Sequence, residues 1–560
     1  MSDAADSLLV ALALMLAATA SVGLGSLLIA LLERAAPVSL STRFWLGLVA
    51  ALAILEPLHL VLPMANVARA TLALAAGAGL VLQRGQLLTL LRALRWFEAA
   101  GLAAGLCAVS LFALGPGPEG DASLYHYPAV RWAASYPVVP GVGNLNPFLG
   151  YSHGNFLLLA VLDAGPFAHR SHHLLNPLLV LVTGARCARE ALGLFAPRVS
   201  SAAVMATAAL AVVLGGVASQ WFVSPSASVG EPMIVIIVVL ETLALMQARA
   251  DARAWVVALL AVGAVVLKLS AAAVAATAFL FALWSIRRWS PRARLGAAIT
   301  ALVAGVGWLW GGAVRTGYLL YPTVALALPV DWRMDPAVPT SVIRYIAAYT
   351  RHTLHRLMPG QDDGAWLGPW LERAALDNEL LVPTLLWLLC VGVALRWRQT
   401  RGRLWWLTPT ALGLVAWVVI SPDPQYLGAV LVLHTGLALG LLLDQARPAV
   451  AAPLAIALLI TLWGVSPSGL PRVKPGGLVP APSPVTRVHQ VSGGPMREPS
   501  DLYCADGPLP CASLIEPGLR YRVAGDVAAG FAVRTPDGAL PPGFRARWVI
   551  DRDFLIGAPR

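Results

Sequence analysis

Residues 7–31 read SLLVALALMLAATASVGLGSLLIAL, with no charged side chain between Asp6 and Glu33. As a helix rising ~1.5 Å per residue, that run is ~37 Å long, more than the ~30 Å hydrocarbon layer of a bilayer. Apolar stretches of this kind recur along the chain, so it is predicted to be an all-α polytopic membrane protein. The composition agrees. Hydrophobic residues make up 58% of the 560 and charged residues only 12%, against roughly 25% charged in soluble domains. The start, MSDAADSLLVALALML, is acidic and lacks the basic lead of a cleavable signal peptide, so the first run is expected to remain as a helix.

The formal net charge is +11, yet the basic residues do not form a nucleic-acid surface. They fall in short clusters between apolar runs: Arg34 and Arg43; Arg84, Arg92 and Arg95; Arg186, Arg189 and Arg198; Arg249 and Arg253; Arg287, Arg288, Arg292 and Arg294; Arg396, Arg398, Arg401 and Arg403; and Arg447. That distribution suits the positive-inside rule rather than a phosphate-tracking patch. Placing these loops in the cytoplasm gives candidate spans near 7–31, 44–62, 67–83, 96–114, 174–190, 200–218, 232–248, 254–268, 271–285, 296–312, 381–395, 405–420, 427–443 and 449–466. About fourteen transmembrane helices result, with both termini outside. The segment 155–167 is too short to cross and is broken by Asp163 and Pro166, so it is expected to lie at the interface or re-enter.

Three stretches remain for the outer side: 115–173, 313–380 and a tail from about 468 to 560 that opens on a Pro/Gly/Ser-rich linker. Alternating segments such as RYRVAG and ARWVIDRDF predict a small β-rich or irregular C-terminal periplasmic domain. The expected organisation is an added N-terminal helical module over 1–95, a core over 96–467 and the tail over 468–560. Of five cysteines, Cys504 and Cys511 lie seven apart in the tail, where an oxidising periplasm permits a disulfide; two free thiols are the alternative.

In so apolar a chain the ionisable residues at the outer ends of spans carry the chemical options. Asp121 follows the flexible GPGPEG, with Tyr125, His126 and Arg131 close behind. If 122–136 is a surface helix, Tyr125, Pro128 and Trp132 share an apolar stripe and Asp121 stands where an N-cap carboxylate is favoured. Glu231, Lys268, Arg315 with Tyr318, and Asp423 with Gln425 are expected near the same face. An ionisable group at membrane depth is a functional candidate because its desolvation is costly unless it is used or paired. His169, His172 and His173 read as interface anchors rather than a metal site, and Asp362 with Asp363 as a solvated turn. The 19 tryptophans read mainly as an aromatic belt.

GDASLYHYPAVRWAASYPVVPGVGNL resembles the Asp-x-x-x-Tyr-His-x-Pro-x-x-x-x-Trp signature of a group of large bacterial membrane proteins placed with the GT-C glycosyltransferases. LKLSA at 267–271, VRTGYLLYP at 314–322, LPVDW at 328–332, PDPQY at 422–426 and CADGPLPC at 504–511 follow in the group's order. The resemblance implies a GT-C-like enzyme that takes a sugar from a polyprenyl-phosphate-type lipid-linked donor at the outer membrane face. The acceptor would be a glycan, lipid or protein. Asp121 would be the catalytic general base, and Lys268, Arg315, His126 and Arg131 would be partners for the leaving phosphate. Glu231 would correspond to a second acidic residue that orients the acceptor or binds a divalent metal, the one cofactor implied. The chain departs from the pattern in two places: four spans precede the Asp loop instead of one, and Gln425 stands where the group reads arginine. A secondary transporter and a non-catalytic partner in glycan assembly are the competing readings; the former expects charges on broken helices at mid-membrane.

Overall fold

The structure is a computed structural model that describes residues 2–33, 38–248, 253–352, 366–466, 469–474, 476–535, 539–540 and 546–548. Arg34, Arg249, Asp362, Asp363 and most of the expected strand over 546–554 lie outside the described residues.

The first helices are α1 (Ser2–Leu32), α2 (Leu40–His59), α3 (Asn66–Leu82), α4 (Arg84–Arg92) and α5 (Trp96–Phe112). Two short helices follow in the first long loop, α6 (Tyr127–Ser135) and α7 (Gly154–Leu162). The bundle continues with α8 (Leu175–Ala191), α9 (Ser201–Ala218), α10 (Ala227–Ala248), α11 (Ala254–Leu267), α12 (Ala272–Trp284) and α13 (Pro291–Thr316). After the second long loop, with α14 (Ala337–Arg351) and α15 (Leu367–Leu376), come α16 (Asn378–Arg396) and the short α17 (Arg398–Arg401). The last helices are α18 (Thr408–Ile420), the one-turn α19 (Pro424–Leu427), α20 (Val430–Leu443) and α21 (Pro448–Gly464).

Each expected span falls on a helix, but among the described residues only α1, α2, α9, α10, α13 and α16 are long and apolar enough to cross a membrane. The pair α3–α4, bent by 73°, makes a seventh if counted as one broken span. The count of about fourteen is revised accordingly. The reason is length: α11 and α20 have 14 residues and α5 and α21 have 17, or ~21–26 Å, short of a ~30 Å hydrocarbon layer. Helix α8 also falls short of that test; it carries Asn176 and Pro177 in its first turn and Arg186, Arg189 and Glu190 near its end. The segment expected not to cross is the nine-residue α7, which packs against α2, α6 and α11.

Apolar attraction does not drive helix pairing inside lipid, so close approach through small residues does. Helix α1 packs on α2 and α3 in this way. A Cβ on Gly47 of α2 would lie 1.7 Å from the Ser21 carbonyl oxygen of α1, so only glycine allows that crossing.

The arginine-rich ends of the helices collect together. Arg292 of α13 bonds the Leu31 carbonyl (2.6 Å), Glu33 accepts from Trp255 (2.9 Å), and Arg186 of α8 pairs with Glu241 of α10 (3.4 Å). At the other end the start of α1 meets the tail, where Leu478 donates its N–H to Asp6 (3.0 Å) and Gly115 donates to Gly477 (2.8 Å). The tail holds two antiparallel hairpins, β1 (Thr486–Val491) with β2 (Gly494–Pro499) and β3 (Arg520–Val523) with β4 (Asp526–Ala532). They are tied by pairing of Ser492 with Arg520, and a Cys504–Cys511 disulfide closes a loop in the segment that connects them.

The tail does not hang free of the first long loop. Met496, Leu519, Tyr521 and Phe531 share a core with Trp132, Val139, Val142, Leu145 and Leu149. Phe531 donates its N–H to the Pro140 carbonyl (2.9 Å), an approach so close that a Cβ on Gly530 would sit 2.1 Å from that oxygen.

Candidate functional site

The stretch after Gly120 is not the plain helix expected. Residues Ala122–His126 form a π-helical turn that runs into α6, with Tyr127 donating to the Ala122 carbonyl. Such turns recur at functional sites because the extra residue redirects side chains. Proline disfavours the plain α turn here, because its ring would crowd the Leu124 carbonyl. Pro128 has no N–H, so it serves neither Leu124, its α-helical partner, nor Ser123, its π partner. Asp121 heads the turn in helical backbone geometry and its side chain makes no capping hydrogen bond, so the N-cap role expected of it is not the one it plays.

The Asp121 carboxylate is exposed and makes no hydrogen bond or ion pair with the described residues. Enough protein lies within electrostatic range that desolvation alone raises its pKa above the ordinary 3.8. Around it stand four tyrosines, Tyr125, Tyr151, Tyr345 and Tyr426. Burial, and after it the Asp121 charge, pushes each of their hydroxyls above the usual range. They come from three separate segments: the first loop, α14 and the turn before α20. Two of them belong to an aromatic cluster in which Tyr125 stacks on Phe148 (5.4 Å) and Tyr151 stacks on His153 (5.6 Å) and meets Tyr321 (5.6 Å).

The cationic side of the site is deeper. Lys268 sits in extended geometry at the break between α11 and α12, where it forms a 2.8 Å ion pair with Glu231 in the first turns of α10. Both side chains are largely buried, with 17% and 12% of their surface exposed. Arg315, near the end of α13, donates to the Ser152 hydroxyl (3.0 Å) and lies in range of the buried carboxyl of Glu56 in α2. Burial first, then His153 and Lys268, holds the His126 imidazole well below its usual pKa; burial, Lys268 and Arg315 bring His153 down to about 3. Both rings are therefore neutral at pH 7. His126 offers an anion a hydrogen bond but not a charge.

Other expected residues sit elsewhere. Arg131 points to the tail, with Nε 4.0 Å from Asp506. Tyr318 is buried and donates its hydroxyl to the Met334 carbonyl (3.0 Å), pinning the loop after α13. Asp423 is buried and caps α19 through the Gln425 N–H (3.1 Å), while the Gln425 side chain is exposed. Asp423 thereby fixes the turn that carries Tyr426. The three histidines diverge: His169 contacts Asp506, His172 packs on Tyr127, and the His173 ring lies between the Ala113 and Val479 carbonyls (2.6 and 2.9 Å). Among the described residues no group of three or more His, Cys, Asp or Glu is arranged to hold a metal ion.

The residues not anticipated are Tyr151, His153, Tyr345, Tyr426 and Glu56. Signals for some were present: Glu56 is ionisable within an apolar run, and Tyr345 and Tyr349 lie one turn apart on the amphipathic α14. A family model described as a domain of unknown function (DUF8201) matches residues 8–432. No curated protein and no solved structure matches the chain.

Proposed function

This chain belongs to the DUF8201 family, and we propose that it is a membrane glycosyltransferase of the GT-C kind that uses a polyprenyl-phosphate-type donor on the periplasmic side of a bacterial inner membrane. The observation that carries the reading is Asp121: an exposed carboxylate of raised pKa, unpaired among the described residues and ringed by tyrosines at the end of the bundle opposite the arginines. In the reaction the acceptor hydroxyl gives its proton to Asp121 as its oxygen bonds to the anomeric carbon. The bond from that carbon to the carrier phosphate breaks, and the electron pair leaves with the phosphate. A raised pKa makes Asp121 a stronger base than an ordinary aspartate. The tyrosine hydroxyls and aromatic faces suit a sugar, polar at its edge and apolar on its faces. Lys268 and Arg315 are the cations nearest in chemistry to the leaving phosphate.

One observation favours transport instead: the Glu231–Lys268 pair lies at a break between two apolar helices. The test is Asp121→Asn. Incorporation of lipid-linked sugar into a cell-surface product should collapse while protein level and membrane insertion stay normal. Unchanged incorporation would leave transport or a non-catalytic assembly role in its place.

A further inference from the structure

The π-helical turn that presents Asp121 and Tyr125 cannot close its own hydrogen bonds, because Pro128 withholds the donor that Ser123 and Leu124 need. Buried carbonyls without partners are strongly disfavoured. Both are served from outside. The Ser123 carbonyl accepts the N–H of Ala505 (2.8 Å), and the Leu124 carbonyl accepts Nδ2 of Asn146 (2.9 Å). The other hydrogen of that amide is directed at the Ser513 hydroxyl (3.0 Å), and the Asn146 carbonyl oxygen accepts from Phe148, so the amide is fully used.

Ala505 and Ser513 belong to or adjoin the tail loop closed by the Cys504–Cys511 disulfide. Ala505 has a φ of +42°, a left-handed conformation that a non-glycine residue holds only when its surroundings enforce it. The loop is also anchored through Asp506, which contacts His169 and faces Arg131 of α6. Ser123, Asn146, Ala505 and Ser513 are all buried.

We propose that the disulfide-closed loop 504–511, with Ser513, is a positioning element of the site: it supplies the Ala505 N–H to the Ser123 carbonyl, holds Asn146 as the donor to Leu124 through the Ser513 hydroxyl, and so fixes the turn carrying Asp121 and Tyr125. The functional meaning of that positioning rests on Asp121 as base; the positioning itself does not. Opening the loop should free the turn and let the already exposed Asp121 carboxyl move away from the surrounding protein that desolvates it.

The experiment is amide hydrogen exchange on the full chain in detergent micelles, read on peptides covering 120–130, for wild type, Cys504→Ser/Cys511→Ser and Ser513→Ala. Exchange at 122–127 should rise at least ~10-fold in the double variant and severalfold in Ser513→Ala, with α1 and α9 unchanged. Adding Pro128→Ala, which gives Leu124 an internal donor, should restore most of the protection. General destabilisation of the tail would not respond to that substitution. Ser513→Ala leaves the disulfide intact and decides the matter if the double variant fails to insert. Wild-type exchange at 122–127 in a variant whose loop 504–511 has itself become fast would overturn the proposal. Where sugar transfer is measured, its acid limb should move to lower pH in the loosened variants. Transfer that ignores Asp121→Asn while exchange behaves as stated would sink the reading of Asp121 as base and leave the positioning standing.

Discussion

Replacing Asp121 by Asn separates a base from a structural carboxylate, because the two roles differ in sign and size. An N-cap aspartate would keep that role through this change, because the asparagine amide oxygen also accepts and Asn and Asp cap about equally well. Asp121 makes no capping bond and no ion pair with the described residues, so no such interaction is lost. Two small terms remain and oppose each other. The charge at a helix start is worth roughly 0.3–1 kcal/mol when exposed. Against it stands the raised pKa, which means that the native state prefers the neutral acid. That penalty on the ionised form is screened because the side chain is exposed.

The sign follows from proton binding. Between the ordinary 3.8 and the raised folded value the native state holds a proton that the unfolded chain has lost, so stability falls as pH rises through that window. The stability of Asp121→Asn relative to wild type should thus be least favourable at pH 3 and improve towards pH 6. At pH 7 the net change should stay within about 0.5 kcal/mol, or less than about 1 °C in Tm for a chain of this length. Loss of a general base costs ~10²–10⁴ in rate, or ~3–5 kcal/mol of barrier. Thermal unfolding in micelles at pH 3, 5 and 7, with transfer from a labelled lipid-linked sugar in membranes, gives both numbers. A loss of 2 kcal/mol or more at pH 7, or wild-type transfer, would refute the argument.

Removing one partner of the Glu231–Lys268 pair should strand a largely buried charge. Glu231→Gln is expected to lower stability by about 1–3 kcal/mol, while Glu231→Gln/Lys268→Met should cost less than the sum of the single changes in a double-mutant cycle followed by thermal unfolding. Gly47→Ala should destabilise by about 1–3 kcal/mol or more through the clash with the Ser21 carbonyl, seen as a lower Tm at unchanged expression. Reporter fusions after residues 120 and 480 should both read periplasmic; a cytoplasmic signal at either would break the proposed orientation.

Much of the architecture was legible because lipid imposes a simple rule on sequence. Apolar length placed a helix at each expected span, and the stretches left between the apolar runs marked the two long loops and the tail. The number of full spans was not legible. Turns, half-length helices and the bend between α3 and α4 depend on how neighbours pack, and a hydropathy window averages over them. The tail's hairpin at RYRVAG and the Cys504–Cys511 bridge were anticipated, but their docking on Trp132 and Leu149 was not.

Within the candidate site, the sequence by itself determined which residues could carry chemistry: Asp121, Glu231, Lys268 and Arg315 are conspicuous because charge is rare in so apolar a chain. It also fixed the proline that denies Ser123 and Leu124 a donor. Only the tertiary structure decided that Glu231 pairs with Lys268, that Tyr318 and Asp423 serve loops, and that His126 is neutral. It alone gathered four tyrosines from three segments around Asp121 and brought Ala505 to Ser123 across some 380 residues of chain. The physical reason is that hydropathy is a property of each residue, while pairing, burial and pKa belong to whichever distant segments happen to meet.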